Sequence, residues 1–136
     1  MKRNRSVPDA AIIPELAYPD VRAAAAWLCE AFGFRERLRI GDHRVQLTFE
    51  GGALVVTERD PSHITADSDH ATLVRVDDVD AVRERAVERG ARAVREPADY
   101  PFGERQCTLV DPHGHRWTFT QTIVDVDPRD WGGELV

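Results

Sequence analysis

The first half of the chain combines short apolar runs with one amphipathic segment. Residues 11–18 (AIIPELAY) predict a strand that ends before Pro19, and Asp20 can cap a helix. Apolar residues at positions 21, 24, 25, 28 and 32 share one helical face, and Gly33 ends that pattern. The runs RERLRI, HRVQLTFE and ALVVTE predict three strands, with a Gly51-Gly52 turn before the third. The predicted order is therefore βαβββ.

The second half repeats this order. HATLVRV predicts a strand, Asp77 and Asp78 offer caps, and positions 79, 82 and 86 give a helix its apolar face. ARAVRE, YPFGERQCTLVD and HRWTFTQ predict a strand, a loop leading into a strand, and a last strand. Asp20 and Asp77 lie 57 residues apart (77 − 20), as do Gly33 and Gly90 (90 − 33). This common offset indicates two duplicated βαβββ units.

These patterns predict one α+β domain at residues 10–124. Module 1 spans about residues 10–58, a polar linker covers 59–69, and module 2 spans about 70–124. Residues 1–9 are predicted to be a flexible N-terminal tail, and residues 125–136 a C-terminal tail. Because one helix covers one face of each sheet, we expect the two modules to form a curved mixed sheet around a cup. Such a cup is the natural place for a ligand.

Composition and charge narrow the classes of function. The chain is 42% hydrophobic and 31% charged, which is typical of a globular domain. Its net charge of −6 disfavours a nucleic-acid groove. No apolar stretch approaches the roughly 20 residues of a membrane helix, and no signal peptide is evident. Cys29 and Cys107 form no CxxC motif, so we expect a cytoplasmic protein with reduced cysteines.

Three segments resemble a known family: YPDVRAAAAWLCEAFGF, HATLVRVDDVDAVRERAVERGA and YPFGERQCTLVDPHGHRWTFTQ. They are similar to the vicinal oxygen chelate superfamily, which includes glyoxalase I, bleomycin-resistance proteins, fosfomycin-resistance transferases and extradiol dioxygenases. The resemblance covers about residues 11–124. It implies paired βαβββ modules around a cup, and a homodimer. It also implies a divalent metal, held by His, Gln or Glu, that acts as a Lewis acid.

The resemblance implies four metal-ligand positions. A ligand lies seven residues before each helix cap, which gives Ile13 and, counted from Asp77, His70. A ligand lies four residues after the turn glycine of the last strand, which gives Thr118. The internal repeat gives Val56 in the fourth strand.

Only His70 among these four residues is a good metal ligand. Isoleucine and valine cannot coordinate, and a threonine hydroxyl is a poor ligand. We therefore expect neither the standard metal nor another cofactor. A shifted divalent-metal site that uses Glu15 or Glu58, each two residues from a missing ligand, stays open.

The sequence DPHGHRWTFTQ contains two histidines beside Gly114. His113 and His115 could be a metal pair, but their position favours a hairpin turn and the end of a strand. Alternation then predicts Arg116, Thr118 and Thr120 on the cup side, with Trp117 and Phe119 in the core. The same alternation turns Cys107 toward the core, where it is a poor candidate for a nucleophile.

Polar residues on the predicted cup side are the candidate site. If enclosed, the Glu15 carboxylate needs a partner, which Arg44 or Arg116 could supply. His70 and Glu15 are candidates for an acid–base pair if both face one cavity. Tyr100 and Phe102 lie in a loop that borders the cup mouth in the similar families. The predicted ligand-binding residues are Glu15, Arg44, Gln46, Glu58, His70, Tyr100, Phe102, Arg116 and Thr118.

Three functions remain open at this point. The first is a metal-independent dimer that sequesters a small organic molecule, as bleomycin-resistance proteins do. The second is a lyase, isomerase or dioxygenase that uses a shifted metal, or His70 as a general base. The third is an interaction module without a small-molecule site. Neither nucleic acid nor membrane is an expected partner.

Overall fold

The computed structural model describes residues 2–59 and 70–135. Apart from Arg59, the predicted linker at residues 59–69 lies outside the described residues. The chain divides into two compact units, unit 1 (described residues 2–59) and unit 2 (described residues 70–135). No helix within these ranges is long and apolar enough to cross a membrane.

Unit 1 is a four-stranded mixed sheet with one helix. Its elements are β1 (Glu15–Tyr18), α1 (Val21–Phe32), β2 (Arg35–Ile40), β3 (Arg44–Phe49) and β4 (Gly52–Glu58). The strand order is β1-β4-β3-β2, with β1 parallel to β4 and the other pairs antiparallel. β1 is shorter than predicted and begins directly after Pro14, which has no N–H to donate to a strand ladder.

Helix α1 forms where the sequence predicts it. Asp20 caps its N-terminus by accepting a hydrogen bond from Ala23 N at 3.0 Å, and Gly33 closes its C-terminus on Cys29 O. The apolar stripe packs on one face of the sheet, where Leu47 is fully buried. The buried residues of the stripe are Val21, Ala24, Ala25, Leu28, Ala31 and Phe32.

Unit 2 has the same topology. Its elements are β5 (Thr72–Arg75), α2 (Val79–Glu88), β6 (Arg92–Tyr100), β7 (Glu104–Val110) and β8 (Arg116–Thr122), followed by a 3-10 helix at Pro128–Trp131. The strand order is β5-β8-β7-β6. The predicted βαβββ order is therefore confirmed in both units. β6 runs further than predicted, through Pro97, which is tolerated because β6 is an edge strand with register shifts.

The cap of α2 corrects the repeat offset. Asp78, not Asp77, caps the helix by accepting from Ala81 N at 3.0 Å. The two caps therefore lie 58 residues apart (78 − 20), whereas Gly33 and Gly90 lie 57 apart. The sequence count was wrong by one at the cap because adjacent aspartates can both serve as caps.

Cys107 lies on the helix side of the unit 2 sheet, paired with Phe119, as predicted. It is fully buried, and this burial raises the pKa of its thiol to about 11. At pH 8 only about one such thiol in a thousand is a thiolate. We expect iodoacetamide to modify half-buried Cys29 in the native protein and Cys107 only after unfolding, as measured by mass spectrometry. Native-state labelling of Cys107 as fast as that of Cys29 would contradict the packing described.

Candidate functional site

The face of the unit 1 sheet that α1 does not cover carries most of the candidates from module 1. Strand register assigns this face, because Glu15 and Gln46 both pair with Val55. We call it the helix-free face of unit 1. Its strand residues are Glu15, Ala17, Arg35, Leu38, Ile40, Arg44, Gln46, Thr48, Ala53, Val55 and Thr57.

Glu15 and Arg44 form an ion pair on this face. The guanidinium Nη2 of Arg44 donates to Oε1 of Glu15, as the sequence predicted for one of two possible arginines. The Glu15 side chain is 54% exposed, so the pair contributes little to stability. The pair supplies the Glu15 carboxylate with an oppositely charged partner on the same face of the sheet.

Gln46 is buried and fully engaged. Arg37 Nη1 donates to its Oε1, and its Nε2 donates to Ser6 O at 2.8 Å. Arg37 also donates to Arg5 O at 2.8 Å. Alternation could not identify Arg37, because it lies in an irregularity of β2 between Glu36 and Leu38 where alternation is interrupted.

Glu58 does not share a face with Glu15. It pairs with Tyr18, and Val56 pairs with Leu16, so both lie on the helix side of the sheet. The prediction that placed Glu58 and Val56 on the cup side is wrong. In ALVVTE, consecutive apolar residues fall on both faces of the strand. Alternation therefore could not show which residues face the helix.

The helix-free face of unit 2 carries two neighbouring groups of hydrogen-bonded polar side chains, one of which ends on the Glu104 carboxylate. Thr108 and Thr118 share a hydrogen bond of 2.9 Å between their hydroxyls. Gln106 Nε2 donates to Thr120 Oγ1 at 3.1 Å, and Thr120 Oγ1 donates to Glu104 Oε1 at 2.7 Å. The predicted alternation in β8 is confirmed, because Thr118 pairs with Thr108 while the neighbouring aromatic residues pair with helix-side residues. The face comprises Leu73, Arg75, Arg92, Arg95, Ala98, Tyr100, Glu104, Gln106, Thr108, Val110, Arg116, Thr118, Thr120 and Thr122.

The corrected cap also changes the count of metal-ligand positions. Seven residues before Asp78 is Ala71, not His70. His70 is exposed and precedes β5, whose first residue, Thr72, pairs with Trp117 on the helix side.

The first-unit counterpart of Thr118 is Val55 rather than Val56. Val55 pairs with Glu15, five residues before the Asp20 cap, and Thr118 pairs with Leu73, five before Asp78. The four positions are then Ile13, Val55, Ala71 and Thr118. In the stretches 2–59 and 70–135, no three His, Cys, Asp or Glu residues come together as a metal-binding group.

Asp111 explains the two histidines of the hairpin. Its Oδ1 accepts from the backbone N–H groups of His113 and His115 at 3.0 and 3.1 Å. Its Oδ2 accepts from the indole Nε1 of Trp117 at 3.1 Å. The predicted hairpin role of His113 and His115 is confirmed, and the buried Asp111 organises that turn.

Tyr100, Phe102 and Trp131 form an aromatic cluster within unit 2. The rings of Tyr100 and Phe102 are stacked, with centroids 5.5 Å apart. The Phe102 and Trp131 centroids are 5.1 Å apart, so the C-terminal tail docks on its own unit. Trp131 is 48% exposed, and the sequence offered no means of choosing between its own unit and a partner chain as its contact.

Comparison with known proteins agrees with this fold. The sequence profile of the Glyoxalase/Bleomycin resistance protein/Dioxygenase superfamily matches residues 12–119. The chain belongs to this superfamily. It is similar to the crystal structure of TioX from Micromonospora sp. ML1, with 35% identity and a TM-score of 0.68 over 83% of this chain and 98% of that one.

Two further similarities are more limited. A glyoxalase/bleomycin resistance protein/dioxygenase family enzyme from Burkholderia phytofirmans PsJN shares the fold, with 18% identity and a TM-score of 0.70 over 79% of this chain and 94% of that one. An uncharacterised protein of Mycobacterium bovis is 38% identical over 52 residues. That match covers 38% of this chain and only 34% of the mycobacterial protein.

Proposed function

We propose that this protein is a binding member of the superfamily that holds a small organic molecule without the usual metal triad. The main supporting observation is the Thr108–Thr118 hydroxyl pair on the helix-free face of unit 2, with the hydrogen-bonded Gln106, Thr120 and Glu104 beside it. Where relatives would present a metal ligand, Thr118 presents a hydroxyl. Hydroxyl and amide groups both donate and accept hydrogen bonds, so they suit a ligand with neutral polar atoms.

The acid–base alternative has weaker support. It requires a carboxylate and an imidazole that face one cavity, with Glu15 and His70 in these roles. The Glu15 carboxylate is held instead by Arg44. That ion pair already supplies the Glu15 carboxylate with a charged partner other than an imidazole. We therefore favour sequestration over catalysis, and we keep the homodimer and the cytoplasmic location as part of the same proposal.

A thermal-shift screen tests this function. The panel contains aromatic amides, catechols and 1,2-dicarbonyl compounds, with Zn²⁺, Mn²⁺ and Ni²⁺ in separate wells. We expect neutral organic compounds to raise the melting temperature, because a ligand at 100 times its Kd adds about 2.7 kcal/mol to stability. Metal content by elemental analysis provides the second readout. Near-stoichiometric bound metal, or a panel in which no organic compound binds, would refute the proposal.

The Thr118→Val substitution locates the site. It removes one hydroxyl, keeps the shape of the side chain, and takes from the Thr108 hydroxyl its hydrogen-bond partner. We expect the best organic ligand to bind about tenfold more weakly, equivalent to about 1.4 kcal/mol. Thr122→Val, at the exposed end of the same strand, is the matched control and should leave affinity unchanged. Equal affinities for the two variants would place the ligand elsewhere.

A further inference from the structure

The N-terminal segment presents two consecutive carbonyl groups to the helix-free face of unit 1. Asn4 and Val7 close a turn through Val7 N to Asn4 O at 3.2 Å, and Ser6 N donates to Asn4 Oδ1 at 3.0 Å. The two central residues of this turn, Arg5 and Ser6, direct their carbonyl oxygens at side chains of the sheet. We call residues 4–7 the N-terminal turn.

The receiving side chains form a directed pair of donors. Arg37 Nη1 donates to Oε1 of Gln46, which fixes the orientation of that amide and leaves its Nε2 to donate outward. Arg37 Nη2 and Gln46 Nε2 then each hold one carbonyl oxygen, both at 2.8 Å. Gln46 is 4% exposed, so its donor is a buried group that requires an acceptor.

We propose that these two donors are a binding site for compounds that carry two neighbouring amide-type carbonyl oxygens. The N-terminal turn occupies the site as an internal stand-in until such a compound displaces it. This inference goes beyond the proposed function, because it concerns a second site, on unit 1, and names the class of ligand that this second site takes. The turn offers these donors two backbone carbonyl oxygens from consecutive residues. Arg5 O accepts from Arg37, and Ser6 O accepts from Gln46.

The turn is held in a way that permits displacement. Residues 2–7 are exposed, and within the described segment Pro8 is the buried anchor that follows the turn. The neighbouring Glu15 carboxylate pairs with Arg44, while Arg37 donates to the amide oxygen of Gln46 and to the carbonyl oxygen of Arg5. A docked turn lowers the apparent affinity for an external ligand by the fraction of time that the site is free.

The test uses the full chain and a capped tetrapeptide, acetyl-Asn-Arg-Ser-Val-amide, which carries the sequence of the turn. Binding is followed by NMR, through the side-chain amide signal of Gln46 and the backbone amides of Ser6 and Val7. Pro8→Gly loosens the anchor of the internal turn. We expect this variant to bind the tetrapeptide about tenfold more tightly than the original chain. A tenfold gain corresponds to a turn that occupies the site about nine-tenths of the time in the original chain and is released in the variant.

Gln46→Glu isolates the donor. The carboxylate keeps the size of the side chain and can still pair with Arg37, but it has no N–H to donate. Added to Pro8→Gly, it should weaken tetrapeptide binding at least tenfold, measured on the backbone amides, with circular dichroism confirming the fold. If that variant does not fold, Arg37→Ala replaces it with the same expectation. Unchanged binding in the donor variant, or no gain in Pro8→Gly, would overturn the inference.

The two proposals fail in different ways. If organic compounds bind in the thermal-shift screen and Thr118→Val weakens them, but the tetrapeptide does not bind to Pro8→Gly, only the carbonyl site is wrong. If no compound of the screen binds while the tetrapeptide does, the site of unit 1 stands and the function assigned to unit 2 fails.

Discussion

Replacing Asp111 with alanine is expected to lower the free energy of unfolding by about 3 kcal/mol. The carboxylate accepts hydrogen bonds from the backbone of His113 and His115 and from the indole of Trp117. Trp117 is fully buried, so without Asp111 its indole N–H loses a partner in a place that water does not reach. A buried donor without an acceptor costs about 1–3 kcal/mol, and the two backbone amides add to that loss.

Urea denaturation measures this effect. Asp111→Asn should fall between the original chain and alanine, because its amide oxygen can still accept from the backbone while its NH₂ group opposes the indole N–H. Asp125→Ala, at an exposed aspartate of the same unit, is the control and should change stability by less than about 0.5 kcal/mol. A loss below about 1 kcal/mol for Asp111→Ala would show that the turn forms without its carboxylate.

In the same hairpin, the sequence was sufficient to predict which residues of β8 lie on each face of the sheet. In β8, polar and aromatic residues alternate strictly from Arg116 to Thr120, and the register confirms both faces. Alternation is informative there because the polar residues and the bulky aromatic residues differ sharply in their preference for the core. The sequence predicted a hairpin turn around Gly114, but the role of Asp111 became visible only from the hydrogen-bond distances.

Prediction failed where two positions were chemically equivalent. Val55 and Val56 are both apolar and both buried, so the pattern of β4 does not show which of them faces the helix. Glu58 was therefore predicted on the wrong face of the sheet. Asp77 and Asp78 are adjacent potential caps, and only the bond to Ala81 N distinguishes them. A shift of one residue then moved a candidate metal position from Ala71 to His70.

The N-terminal turn was beyond sequence reasoning for a different reason. Three of its four residues are polar and the segment carries no periodicity, so it resembled a solvated tail. Their structure depends on contacts with Arg37 and Gln46, which lie more than 30 residues away along the chain. Alternation did place Gln46 on the correct face, but it cannot show what a side chain binds.

The chain that leads into the C-terminal tail passes directly against the backbone of Gly103. This residue has φ +85°, and a Cβ built on it would lie 2.2 Å from Val124 O and 2.9 Å from Val126 Cγ2. Its own carbonyl oxygen accepts from Ile123 N at 2.8 Å. The loop and the outgoing chain therefore meet backbone to backbone, and no side chain fits between them.

Gly103→Ala is expected to lower the free energy of unfolding by about 3 kcal/mol and to separate the tail from the loop. Gly114→Ala is the matched control, because Gly114 has φ +93° and nothing lies within 4 Å of its would-be Cβ. In the control we expect only the cost of placing a side chain on a residue with positive φ, about 1 kcal/mol. The difference between the two variants, measured by urea denaturation, isolates the close approach of the tail.

Tail separation has its own optical signal. Trp131 contacts Phe102, the residue next to Gly103, so a displaced tail should expose its indole further and shift its fluorescence to longer wavelength. Trp131→Phe in the Gly103→Ala background should remove that shift, since Trp27 and Trp117 would then be the only indoles. Equal stability losses for Gly103→Ala and Gly114→Ala, without a fluorescence shift, would mean that the tail does not pack against this loop in solution.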